Sequence, residues 1–151
     1  MSDFVHFKIN CVPPKVTAQQ KRARIVNGKP VFFKGSKARQ SEATLEALLA
    51  PHQPESPVTG PVAIRIDLTW PWRASDLSTK ARRENAEKLR WIWNSSKPDV
   101  DNVAKAFIDT LVMMRFIEDD AKVVDLNICK AFGSDPGIEV RISTVAGRAS
   151  T

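Results

Sequence analysis

The sequence predicts an α+β domain: a single mixed β-sheet of about four strands, helices packed mainly on one face, and a small basic hairpin. Three observations carry this expectation. Residues 62–70, VAIRIDLTW, alternate apolar and polar side chains without a break, as a half-buried strand does. Residues 102–115, NVAKAFIDTLVMMR, instead repeat apolar residues at helical spacing. The elements run strand, hairpin, helix, strand, helix, helix, strand, strand, an order typical of neither a βα repeat nor an all-β chain. With 151 residues, 42% of them hydrophobic, the chain is long enough for one domain with its own core.

The first strand is expected over 4–11, FVHFKINC, with Val5, Phe7, Ile9 and Cys11 on one side. Pro13 and Pro14 end it, because proline cannot donate to a ladder. Residues 24–33 place Asn27-Gly28 between apolar pairs, a hairpin signal, and Pro30 makes it a short arm or edge. Residues 36–50 read as a helix on Ala43, Leu45, Leu48 and Leu49, followed by a proline-rich loop over 51–61. After the 62–70 strand, a polar and basic helix is expected over 77–92. The helix over 102–115 carries its apolar stripe on Ala104, Phe107, Ile108 and Leu111. Strands over 122–131 and 137–144 follow, joined as a hairpin by FGSDP, and the tail 145–151 is expected to be frayed.

Composition narrows the function. The opening MSDFVHFKIN lacks the pattern of a signal peptide, and no run approaches the ~20 apolar residues of a membrane span. Cys11 and Cys129 form no short-spaced pair and read as reduced residues of a cytoplasmic protein. No glycine-rich phosphate loop is present, and His6 and His52 have no zinc-like partners. The net charge is +6, and Lys15 to Arg39 holds eight basic residues and no acidic one. Such a block suits a polyanion, most commonly nucleic acid, although a solvated loop would look the same.

Within this basic chain, 97–105 reads KPDVDNVAK. Taken as extended, 97–101 would point Asp99 and Asp101 to one side, with Asp101 or Asn102 capping the following helix. Lys105 stands one helical turn after Asp101. Glu118, Asp119 and Asp120 cluster before the next strand. Grouped carboxylates suit a hard cation such as Mg²⁺, which held at a phosphodiester can activate water. A nearby lysine can stabilise the developing charge. A D-x-D-N before a helix is also an ordinary cap and turn, and EDD an ordinary solvated turn. An EF-hand is excluded, because Val103, Ala104 and Thr110 occupy positions that need an oxygen ligand, glycine and glutamate.

KPDVDNVAKAFIDTL followed by FIEDDAKVVD resembles the RusA family of Holliday-junction resolvases, crossover junction endodeoxyribonucleases of bacteria and their phages. The family pattern is D-x-D-N, a lysine four residues after the second aspartate, an alanine-rich helix and then a paired aspartate, and all stand here. The specific match lies within 97–131; INCVPPK looks like the family's opening strand and turn, and 77–92 like an insertion of phage members. LVMMRFIEDD departs from the family in lacking a glycine. The resemblance implies a single RusA-like endonuclease domain over 1–151, a homodimer that needs Mg²⁺, with Mn²⁺ able to substitute, and no small-molecule cofactor. Its substrate would be branched double-stranded DNA, four-way junctions resolved by paired symmetric nicks in recombination and repair. Carried over by position, the catalytic and metal-binding aspartates fall on Asp99, Asp101 and Asp120, and the catalytic lysine on Lys105. The alternatives are a branched-DNA-binding protein that does not cut, or another metal-dependent nuclease.

In this reading the DNA backbone is held by Lys15, Lys21, Arg22, Arg24, Lys34, Lys37, Arg73, Lys80, Arg82, Arg83 and Lys97. Phe32, Phe33 and the four tryptophans are expected first in packing or interfaces, and second as stacking platforms. One geometric tension remains. A helix over 102–115 is about 21 Å long, whereas five extended residues reach at most about 17 Å. Either the helix is shorter, or Asp120 meets Asp99 and Asp101 of a partner subunit.

Overall fold

The computed structural model describes residues 3–15, 21–34 and 36–147. Seven strands and three helices follow one another as β1 (Phe4–Ile9), β2 (Lys21–Val26), β3 (Lys29–Lys34), α1 (Ser36–Leu49), β4 (Val62–Pro71), α2 (Lys80–Leu89), β5 (Trp91–Trp93), α3 (Val100–Met113), β6 (Val123–Gly133) and β7 (Gly137–Thr144). Five strands form one mixed sheet in the order β1-β7-β4-β6-β5. β4 lies at its centre, parallel to β6 and antiparallel to β7. β2 and β3 form a separate antiparallel pair, turned at Asn27 and Gly28, whose φ angles of 51° and 75° are those of a tight hairpin turn.

The core explains why β4 is central. Val62, Ile64, Ile66, Leu68 and Trp70 all point to one face and are buried there. β7 adds Ile138, Val140 and Ile142, and β1 adds Phe7. α1 covers this face with Leu45 and Leu49, and α3 with Val103, Phe107 and Leu111. The other sheet face keeps Arg65, Asp67 and Thr69 of β4 and has no such helix cover.

Several expectations need correction. β6 and β7 are not a hairpin, because β4 lies between them. The main sheet has five strands rather than about four. The fifth, β5, comes from the end of the stretch expected to be helix 77–92. Thr79 caps α2 by accepting from the Arg82 N–H at 3.2 Å, and Arg90 ends it with φ 66°. Trp91–Trp93 then pair with Ala131–Gly133, as aromatic and β-branched residues favour. α2 buries only Ala86. The buried stripe of α3 is Val103, Phe107, Thr110 and Leu111, while Ala104 and Ile108 turn toward the side of the helix that borders a groove. Residues 148–151 of the expected frayed tail lie outside the described residues.

Candidate active site

The corner that leads into α3 is built by backbone bonds. Asn94 is buried; its N–H donates to the Lys130 carbonyl at 3.0 Å, and its Oδ1 accepts from the Ser96 N–H at 2.8 Å. From β6, Lys130 Nζ donates to the carbonyls of Ser96 and Pro98, each at 2.6 Å. The Lys97–Pro98 peptide is cis.

Asp99 is the N-cap residue of α3, with extended angles of −71° and 146°, and its carbonyl accepts from the Val103 N–H at 3.0 Å. The helix therefore starts before Asp101 and Asn102, the residues expected to cap it. Asp101 already lies in the first turn. Asp99 thus stands at the N-cap and Asp101 in the first turn, rather than both in one extended segment. The Asp99 carboxylate instead pairs with Lys97 Nζ at 2.6 Å. Asn102 turns inward, and its Oδ1 is buried without a hydrogen-bond partner.

Asp101, Lys105 and Asp109 project from one face of α3 into an open groove of about 530 Å³. Asp120 and the first residues of β6, Val123 to Leu126, line its other wall. Lys105 Nζ sits 3.3 Å from Asp109 Oδ2. One chain thus brings Asp101, Lys105 and Asp120 to the same groove, and Asp99 is not among its lining residues.

The chain reaches Asp120 by turning back sharply. α3 ends at Met113, Arg115 takes φ 62°, and the Phe116 N–H returns to the Leu111 carbonyl at 2.9 Å. Gln53 Nε2 donates to the Met114 carbonyl at 2.7 Å, and the Val58 N–H to the Phe116 carbonyl at 2.9 Å, so the proline-rich loop pins this turn. The helix thus has 14 residues, as many as expected, but starts at Val100 and ends at Met113 rather than running over 102–115. Asp119 caps the short turn Asp120–Lys122 by accepting from the Ala121 N–H at 2.8 Å. That backbone hydrogen bond holds the Asp119 carboxyl below its ordinary range.

The donor chemistry of the groove fits Mg²⁺. Asp101, Asp109, Asp120 and Asp125 offer hard oxygens, with no histidine, and Cys129 lies outside the lining. Among the described residues no three acidic, histidine or cysteine side chains converge as a metal cluster. Mg²⁺ is commonly held by one or two carboxylates together with waters and substrate phosphate. Asp109 and Asp125 went unnoticed in the sequence. Asp109 could have been found, since it stands four residues beyond Lys105 on the same helical face. Asp125 and Lys130 carry no such signal.

The expected DNA-binding cations differ in their surroundings. Arg73 is bidentate to Asp76, with Nε at 2.9 Å and Nη2 at 3.0 Å, and lies 4.4 Å above the Phe132 ring. Arg82 donates to the Ser75 carbonyl and Ser78 hydroxyl, and Arg83 to the Leu77 carbonyl. Lys80 pairs loosely with Glu84 at 4.0 Å. Lys15 and Arg24 are exposed. Lys21, Arg22, Lys34 and Lys37 stand in β2, β3 and α1, but their side chains, like that of Phe33, lie outside what is described.

Comparison with known proteins identifies the family to which the chain is similar. A family model described as Endodeoxyribonuclease RusA matches residues 12–143. The chain is 32% identical over 146 residues to the uncharacterized protein YqaN of Bacillus subtilis (strain 168), covering 95% of this chain and 99% of that protein. It is 26% identical over 139 residues to the crossover junction endodeoxyribonuclease rusA of Lactococcus phage r1t, covering 92% and 95% respectively.

Proposed function

This chain belongs to the RusA endodeoxyribonuclease family, and we propose that it resolves four-way DNA junctions by paired symmetric nicks, using Mg²⁺. The observation that carries the reading is the shared groove of Asp101, Lys105 and Asp120 within one member of that family.

Asp101 and Asp120 are the candidate ligands of the cation, with Asp99 as a third once a DNA phosphate draws Lys97 away from it. The cation supplies water activation and charge neutralisation at the phosphodiester. The chain's own residues do the rest. Lys105, one turn beyond Asp101, offers its ammonium to the phosphate oxygens as negative charge grows on them. The groove is open and lined partly by apolar Ala104, Ile108, Val123 and Leu126, so a backbone phosphate can lie in it with its neighbours still in solvent. Lys97 and the cations of the β2–β3 arm hold adjoining phosphates without reading bases.

The active unit in this reading is a homodimer, since two strands must be nicked. Two features support it. β6 pairs with β5 only over Ala131–Gly133, leaving most of its outer edge without a strand among the described residues. The β2–β3 arm carries Ile25 at 79% and Phe32 at 69% exposure, surface that a second chain could cover.

The test is a synthetic four-way junction with Mg²⁺, beside a linear duplex of the same arm sequence and Asp101→Asn protein. Paired symmetric nicks in the junction alone are expected, with Asp101→Asn binding but not cutting. Equal cutting of linear duplex, or no metal-dependent cutting by the intact protein, sinks the proposal.

A further inference from the structure

The four tryptophans fall into two classes. Trp70 is buried and donates from Nε1 to the Pro13 carbonyl at 2.8 Å; Trp72 is half-buried and donates to the Ser134 hydroxyl at 3.2 Å. Trp91 and Trp93 are 48% and 63% exposed, on the sheet face away from α1 and α3. Their rings meet edge to face at 4.5 Å, leaving indole surface open.

These rings form one wall of a hollow of about 320 Å³. Its floor is made from small side chains. Ala131 lies opposite Trp93 and Gly133 opposite Trp91, with Thr69 beside them. Any Cβ at Gly133 would come within 2.9 Å of the Arg90 carbonyl and 3.0 Å of Trp91 Cβ, so there is no room for a side chain there. Large walls over a small floor make a slot rather than a packed patch. Arg65, Asp67 and Ser134 provide charged and hydroxyl groups at its border. Arg65 is itself fixed, bidentate to Asp67 at 2.9 and 3.1 Å.

We propose that this slot is a nucleobase-binding subsite, taking one unpaired base of the DNA on which the groove acts. The inference rests on the DNA-cleaving reading, which it deepens. An aromatic wall accepts any base, because every base has a π-face, and the polar border offers partners to its edge. The slot also joins the groove along one strand. Asp125, Asn127, Cys129, Ala131 and Gly133 of β6 alternate onto the sheet face away from α3, so one strand runs from Asp125 at the edge of the groove to the slot floor. Six residues of strand cover about 20 Å, roughly six base steps of duplex at about 3.4 Å each. The chain's net charge of +6 favours a polyanion over a neutral peptide.

The test uses the full-length protein in EDTA, with two labelled single-stranded probes of equal length, oligothymidylate and its abasic counterpart. Wild type and Trp93→Phe are expected to bind oligothymidylate about tenfold more tightly, equivalent to about 1.4 kcal/mol. Trp93→Ala should bind both probes alike, with its affinity for the abasic probe and its thermal midpoint unchanged. Equal affinity of wild type for the two probes overturns the subsite, as does an intact preference in the Trp91→Ala/Trp93→Ala double variant. So does a Trp93→Ala effect confined to oligomeric mass, which would make the face a protein interface. Junction cutting in Mg²⁺, assayed in parallel, separates the readings: cutting without base preference rejects the slot alone, and base preference without cutting rejects the nuclease alone.

Discussion

Lys130 and Pro98 are joined across the base of the candidate active site: the Lys130 ammonium, projecting from β6, donates to the Pro98 carbonyl at 2.6 Å and to Ser96 at the same distance. This ties the loop that delivers Asp99 and Asp101 to the strand that also carries Asp125. A hydrogen bond from a charged group to a carbonyl is among the stronger ones.

Lys130→Met should therefore loosen the corner without removing any group from the groove. The expected cost is about 2 kcal/mol of stability, read by urea denaturation. Cutting should fall by about tenfold or more, since small displacements of positioned groups are expensive. Junction affinity and its salt dependence should stay near wild type, because the ammonium is engaged internally. A reduced salt slope would instead mean that Lys130 contacts phosphate.

These same residues show what a sequence can disclose. β4 was legible because its alternation is the burial pattern itself, from Val62 to Trp70. Asp101 and Lys105 were legible as a helical face, since spacing alone sets it; Asp109, one turn further on, follows from the same spacing but was not read. The β6–β7 connection was misread because FGSDP has good turn chemistry, and local chemistry does not say which strand lies beside which. β5 was missed because three residues carry too little periodicity to stand against the helical stretch before them. Lys130 looked like any strand lysine, and only the fold brings it beneath the 94–99 corner.

The close approach of β1 to β7 gives a second prediction. A Cβ on Gly137 would sit 2.6 Å from the Ile9 carbonyl oxygen, a backbone atom that cannot swing aside. Gly137→Ala should force the two strands apart at the end of their ladder and cost about 1–3 kcal/mol. The groove lies at the other side of the sheet, so cutting by the folded fraction should be unchanged. Thermal unfolding and a single-turnover assay on the same preparation check both halves.

The Arg73–Asp76 pair predicts a pH dependence of stability. The Arg73 side chain, hydrogen-bonded to Asp76, holds that carboxyl below its ordinary range. A lowered folded pKa means that the stabilisation is present above the unfolded value of about 3.9. It is lost as pH falls through the lower folded value. Asp76→Asn should thus lower the urea midpoint at pH 7, and only slightly, because the arginine side of the pair is solvent-screened. The gap to wild type should narrow steadily below about pH 4. Urea midpoints for both proteins across that range are the measurement; a gap that widens on acidification contradicts the pairing.

The last prediction concerns which chain completes each site. A shared site would place Asp120 of one chain against Asp101 of the other. In the structure both residues line one groove of a single chain, and the tight return through Arg115 and Phe116 makes the crossing unnecessary. Asp101→Asn and Asp120→Asn proteins, each expected to be inactive alone, can be mixed, denatured together and refolded so that the chains of the proposed dimer pair at random. In a mixed dimer each groove then keeps one defective aspartate, and neither site is whole. The expected result is no recovery of junction nicking at any mixing ratio. If the sites were shared instead, one site in every mixed dimer would be assembled from two intact residues, and single-strand nicking of the junction would reappear in proportion to the mixed species. Wild type diluted with Asp101→Asn provides the calibration, since its mixed dimers must nick one strand if the exchange has worked.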